Sequence, residues 1–372
     1  MTSQQQEGPT WRPTTRDGRH SVACVGETMV SFIPPHEATL EATDTVVLDT
    51  AGAESNVAMY LARHGVDARW VSRIGDDPFG RRVIGRVSAA GVDVSGVPTD
   101  STRPTGLLFK NPRNAAESGG TRVSYYRQGS AASAMGPEVL EEKALRTASL
   151  WHFTGITPAL SPSCRQLVET ALGQADRPPV SFDVNYRPAL WNESPADLLS
   201  HLAQAADIVF VGLDEAQELW GTAISDPGDV RSLLPSPKIV VVKVASHFAT
   251  AFLGDKQATV PALAVDVVEP VGAGDAFAAG FLAALLRAEP VHRCLRLGHI
   301  TAASALSVTG DHGPLPDATK IERLLEVSPQ GWSALQVRNS HHRLPIEGED
   351  LRASEEMSPF RVDDGPLFEY AE

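Results

Sequence analysis

The chain has 372 residues, of which 42% are hydrophobic and 21% charged, and it carries a formal net charge of −14 at pH 7. That length suits one large α/β unit with a sizeable core, and the acidic balance lacks the clustered Lys and Arg of a nucleic-acid binder and disfavours an anionic membrane surface. The three cysteines, Cys24, Cys164 and Cys294, show no metal-ligand spacing, and no apolar run reaches the ~18 residues of a membrane span, so the expectation is a cytoplasmic protein with free thiols and neither a nucleic-acid nor a membrane partner.

Residues 1–20 are polar, without the apolar centre of a signal peptide, and read as a disordered leader. From Ser21, SVACV is a buried strand that ends at Gly26-Glu27, and ESNVAMYLARHG is a helix stopped by Gly65. ARWVSRI and DPFGRRVIGRVSAAG repeat the strand–helix unit, as do ASLWHFTG, PPVSFDVN, ADIVFVG, KIVVVKV and the segment around Gly272. Continuous apolar strands alternating with helices predict a doubly wound, mostly parallel sheet covered on both faces. Two stretches break the rhythm. Residues 39–48 and 106–127 alternate apolar with polar and lack a following helix, which predicts a small antiparallel lid over about 31–50 and 103–128. From residue 329 the chain is acidic and poor in aliphatics, and residues 329–372 read as a largely disordered tail. The main domain is thus expected over 21–328.

The sharpest feature is VGAGDAFAAGF, residues 271–281. A wholly apolar helix is a buried one, and its N-terminus presents unpaired N–H groups and a partial positive charge, which suits a phosphoryl group. Asp275 stands at that end, as a reacting carboxylate or as an ordinary N-cap. The third glycine of a dinucleotide fingerprint and the Lys-Ser/Thr of a P-loop are both missing.

These residues resemble the C-terminal signature of the ribokinase-like (PfkB) sugar kinases. TAGAESNVAMYLARHG at 50–65 is similar to that family's glycine-rich sugar motif, and RIGDDPFG at 73–80 fits the same family. Within it, GETMVSFIP, VSYYRQGSA and SFDVNYRPALW look like the 2-keto-3-deoxygluconate kinases. The resemblance implies transfer of the ATP γ-phosphoryl group to a hydroxyl of a sugar acid, with Mg2+ brought in on the nucleotide. Asp275 would be the base, the N–H groups of Gly272, Ala273 and Gly274 the anion hole, and Gly52 and Asn56 contacts to sugar hydroxyls. Arg127 and Arg187, with Tyr125, would hold the substrate carboxylate, since arginine grips a carboxylate bidentately; a surface ion pair for Arg187 and lid packing for Tyr125 are the alternatives. Glu215 and Lys243 would serve the nucleotide, although for Lys243 a solvated strand-end lysine is the favoured description. A homodimer through the lid is also implied.

The chain departs from the pattern at Gly212, where asparagine is expected, at Ala245 and Phe248, where a Gly-x-x-Gly turn normally nears the nucleotide, and at Leu108, where the keto-deoxygluconate kinases commonly have tyrosine. These departures leave two alternatives open: a kinase of a neutral sugar such as fructose, or a non-catalytic sugar-binding protein.

Overall fold

The computed structural model describes residues 20–35, 38–111, 122–338 and 367–370. The expected leader, His20 apart, therefore lies outside the described residues, as do residues 112–121 of the stretch expected to form the lid.

In chain order the first half runs β1 (Ser21–Val25), β2 (Met29–Ile33), β3 (Val47–Ala51), α1 (Ala53–Arg63), β4 (Asp67–Val71), β5 (Ile74–Gly75), α2 (Pro78–Ala89), β6 (Asp93–Gly96), β7 (Thr99–Asp100), β8 (Leu107–Asn111) and β9 (Arg122–Tyr126). After α3 (Lys143–Arg146), strand and helix alternate: β10 (Leu150–Thr154), α4 (Pro162–Gly173), β11 (Val180–Asp183), α5 (Ala196–Ala205), β12 (Ile208–Gly212), α6 (Leu213–Trp220), α7 (Pro227–Leu233) and β13 (Ile239–Val244). The chain then forms β14 (Phe248–Leu253), β15 (Lys256–Pro261), β16 (Ala264–Val265), α8 (Ala273–Leu286), α9 (Val291–Leu306), α10 (Ala318–Leu325), α11 (Pro329–Ser333), β17 (Leu335–Arg338) and β18 (Leu367–Tyr370).

Nine strands form one sheet in the order β15-β14-β13-β12-β11-β10-β1-β4-β6, parallel from β13 to β6 and closed at one edge by the antiparallel β14 and β15. The period of two sorts each central strand between two cores. Val22 and Cys24, Ile208 and Phe210, and Ile239 and Val241 face α1, α2, α8 and α9. Ala23 and Val25, Val209 and Val211, and Val240 and Val242 face α4, α5 and α6. At about 1.5–3 kcal/mol for each large apolar side chain buried, these two cores hold the three layers together. Chain order reverses beside β1, whose neighbours are β4 on one side and β10 on the other. Open α/β sheets take ligands at such a switch point, beyond the carboxyl ends of the strands.

The lid is a second sheet in the order β3-β2-β8-β9. Its outer pairs are antiparallel as expected, whereas the central pair, β2 and β8, is parallel. Only Val47 and Leu48 of the stretch 39–48 join it. Ahead of them Thr43 folds back locally, donating from Oγ1 to the Thr45 carbonyl at 2.9 Å and accepting from Thr45 N at 3.2 Å. Such side-chain turns compete with strand pairing.

For residues 329–338 and 367–370 the expectation of a disordered tail is corrected. Ser328 caps α11 by accepting from Gly331 N at 3.1 Å, and Trp332 is 1% exposed, donating its indole N–H to the Pro261 carbonyl at 2.9 Å. β17 then pairs in parallel with β16 and antiparallel with β18. Few aliphatics proved to be enough, because one buried tryptophan with Leu335 and Val337 anchors the segment. Residues 339–366 lie outside the described residues. Among the described residues, no helix is long and apolar enough to cross a membrane.

Candidate active site

The N-terminus of α8 reaches the carboxyl edge of the sheet, and the packing below fixes it there. Every residue of α8 from Asp275 to Leu286 is buried, and Phe281 meets Phe210 of β12 edge to face at 5.4 Å. Gly272 caps the helix at φ 86°, and a Cβ there would sit 3.2 Å from that of Asp311. Left-handed backbone and lack of space both select glycine. The Ala273 N–H turns back to the Pro270 carbonyl at 3.4 Å. In a helix the next two N–H groups, of Gly274 and Asp275, have no intrahelical acceptor.

Asp275 is not the N-cap. It lies in the first turn, 8% exposed, with Oδ2 accepting from Asn56 Nδ2 at 2.9 Å and Oδ1 from Asn185 Nδ2 at 3.2 Å. Burial is the largest influence on its pKa, which is pushed up to about 7. The Asn56 hydrogen bond and the Arg187 charge oppose the rise, while Asp183 and Asp311 add to it. A carboxylate tuned to neutrality at a helix N-terminus is suited to taking a proton near pH 7.

Two cations flank it. Lys243, at the end of β13, pairs with Asp183 at 3.1 Å and is 18% exposed, so it is not a solvated strand-end lysine. Its Nζ lies 3.3 Å from where a Gly274 Cβ would stand, over the first turn of α8. Arg187 follows β11, 46% exposed, and pairs with Glu215 at 3.2 Å. Glu215 also accepts from Gly212 N at 2.9 Å and so caps α6. The surface ion pair foreseen for Arg187 thus exists, on the rim of the site.

The remaining expected residues stand on the lid side. Gly52 precedes α1 and packs against the Glu27 carbonyl and Thr28. Tyr125 faces inward on β9, opposite Leu108, with the Arg127 guanidinium 5.5 Å from its ring centre. Arg127 Nη2 is 2.5 Å from Glu27 Oε2, and both side chains are buried. Ser130 donates to the other Glu27 oxygen. The site therefore divides into Asp275, Asn56, Lys243, Arg187 and Glu215 around the α8 terminus, and Tyr125, Arg127 and Gly52 beneath the lid.

Five site residues escaped the sequence reading. Asn185 is 5% exposed and adopts φ 38°, and its Oδ1, like that of Asn56, is buried without a partner among the described residues. Left-handed backbone outside glycine costs of order 1–3 kcal/mol and gathers at functional sites. Asp183 holds Lys243, Glu27 holds Arg127, and Lys110 pairs with Asp311 at 2.7 Å. Only Asn185 had a sequence signal, as a polar residue just past a buried strand at the sheet's carboxyl edge. At the altered turn Ala245 takes φ 39° and Phe248 starts β14 opposite Val244.

The profile described as "pfkB family carbohydrate kinase" matches residues 19–318. A 2-dehydro-3-deoxygluconokinase of Thermoproteus tenax is 35% identical over 283 residues, 74% of this chain and 85% of that protein. One of Bacillus subtilis (strain 168) is 31% identical over 306 residues, 81% and 94% of the two chains. The crystal structure of a PfkB protein from Polaromonas sp. JS666 superposes with a TM-score of 0.72 at 32% identity, covering 82% of this chain and 99% of that one. With the sheet order, the lid and the buried aspartate at the α8 terminus, these matches place the protein: it belongs to the pfkB family of carbohydrate kinases.

Proposed function

We propose that the protein transfers the γ-phosphoryl group of ATP to a hydroxyl of a sugar acid of the 2-keto-3-deoxygluconate type. The observation that carries the reading is Asp275, buried at the N-terminus of α8 with its pKa at about 7. Phosphoryl transfer needs alignment and charge stabilisation more than covalent help. Asp275 takes the proton of the attacking hydroxyl, which Asn56 and Asn185 orient through their unpartnered amide oxygens. The first turn of α8, entered through Gly272, Ala273 and Gly274, supplies N–H donors to the phosphoryl oxygens, and Lys243 adds positive charge beside them. No group of three or more His, Cys, Asp or Glu side chains among the described residues could hold a metal. The donor set suits magnesium carried on nucleotide phosphates, where it neutralises charge.

Arg187 is the carboxylate ligand in this reading, with Arg127 and Tyr125 completing the pocket below the lid. A neutral ketose is the second reading, and the pairs of Arg127 with Glu27 and of Arg187 with Glu215 favour it by occupying both guanidinium groups. Replacing Arg187 with glutamine decides between them. Charge-assisted hydrogen bonds contribute about 1.5–3 kcal/mol, so KM for 2-keto-3-deoxygluconate should rise about 10–150-fold while fructose kinetics stay level. An equal effect on both substrates would exclude the carboxylate role.

The homodimer belongs to the same proposal. β3 and β9 are the lid's edge strands, and Val47 and Tyr126 on them are 55% and 67% exposed. Exposed apolar side chains on unpaired edges suit pairing with a second copy. The reading also sets the protein in the cytoplasm, where ATP is available.

A further inference from the structure

Lys110 lies on lid strand β8, two residues beyond Leu108 on the same inward face, and is 1% exposed. Its ammonium is 2.7 Å from Asp311 Oδ1, in the loop after α9. The other oxygen, Asp311 Oδ2, accepts from Asn56 Nδ2 at 3.1 Å. That same Nδ2 donates to Asp275 Oδ2 at 2.9 Å. A continuous chain of buried polar contacts thus runs from the lid through Asp311 and Asn56 to Asp275. A lysine so deeply buried survives only with a partner, and breaking such a pair leaves a bare charge in a dry interior.

We propose that Lys110 is a positioning residue for phosphoryl transfer: it neutralises Asp311, fixes the Asn56 amide between the two carboxylates, and spares Asp275 the repulsion of a second bare anion. The proposal rests on Asp275 being the base. Its charged neighbours are Asp183 from β11, Arg187 after β11, Lys243 from β13 and Asp311. Lys110 is the cation that meets Asp311 directly, and it comes from the lid. Seating of the lid and readiness of the base are therefore linked.

The test is a pH titration of Asp275 in protein labelled with 13C at aspartate carboxyls, its signal assigned by loss in Asp275→Asn, beside the pH profile of kcat/KM. Two carboxylates sharing one amide donor are close enough for a shift of about one pH unit or more. Lys110→Met should raise the Asp275 midpoint and the acid limb of turnover together by that amount, so activity near pH 7 falls about fivefold or more. Asp311→Asn should lower both, because an unpaired ammonium then faces the base. The double variant, which removes both buried charges, should return close to wild type, and Lys110→Arg should hardly move. A midpoint unchanged in Lys110→Met, or one that neutralising Asp311 does not restore, overturns the link. A midpoint that moves while the acid limb stays fixed overturns the assignment of Asp275 as base, and with it the catalytic part of the proposal.

Discussion

Replacing Asp275 with asparagine should destroy turnover and stabilise the fold, and the second effect depends on pH in a way that tests the site's electrostatics. In the folded protein the Asp275 pKa is about 7 against an ordinary 3.8, mainly because the carboxyl is buried. The native state therefore holds the proton more tightly than the unfolded chain does. Stability is favoured at pH 4, falls as pH rises from about 4 to 7, and is fully reduced above 7. At 1.36 kcal/mol per pH unit, that interval is worth about 4 kcal/mol. The amide must be discounted, because its NH2 faces the Nδ2 donor of either Asn56 or Asn185. One lost hydrogen bond costs about 1–2 kcal/mol, which leaves a net gain of about 2–3 kcal/mol at pH 8. Urea unfolding of both proteins at pH 4.5, 6, 7 and 8 reads this directly. The curves should diverge with rising pH, the wild type losing stability relative to the variant. Parallel curves would refute the reasoning, since Asp275 would then titrate alike in both states. A functional carboxylate that costs stability is the expected trade at an active site.

Two further predictions follow from backbone and surface. Gly272→Ala should destabilise the protein by about 1–3 kcal/mol and lower kcat by displacing the first turn of α8, because φ is 86° and Asp311 fills the space; unchanged unfolding and kinetics would show that the turn tolerates a side chain. Tyr126→Glu should shift a lid-mediated dimer to monomer in light scattering, with the Asp275 site untouched; a mass that does not change would exclude the β9 edge as the interface.

How much was legible in the sequence depended on whether a residue's meaning was local. The run Gly272-Ala273-Gly274-Asp275 carried its message in one stretch, because small residues ahead of an apolar helix define both the cradle and its burial. The parallel sheet was equally readable from continuous apolar strands. Lys110, Asp311 and Glu27 were not readable, since each is a single charged residue in a strand or loop. Only the topology that lays β8 over the α9 loop gives Lys110 a partner 201 positions away. The lid's parallel central pair escaped for the same reason, as alternation marks a half-buried strand without naming its neighbour. Residues 329–338 misled through composition, which averages over a stretch and hides one tryptophan that finds the Pro261 carbonyl.

The central claim is that Asp275 is the base of an ATP-dependent sugar-acid kinase. Its most direct test is the steady-state rate of ATP-dependent phosphorylation of 2-keto-3-deoxygluconate by the wild type and by Asp275→Asn at pH 8. The account predicts turnover by the wild type and a loss of about 10²–10⁴-fold in kcat for the variant, with sugar binding retained in calorimetry. Turnover that survives the substitution would contradict it.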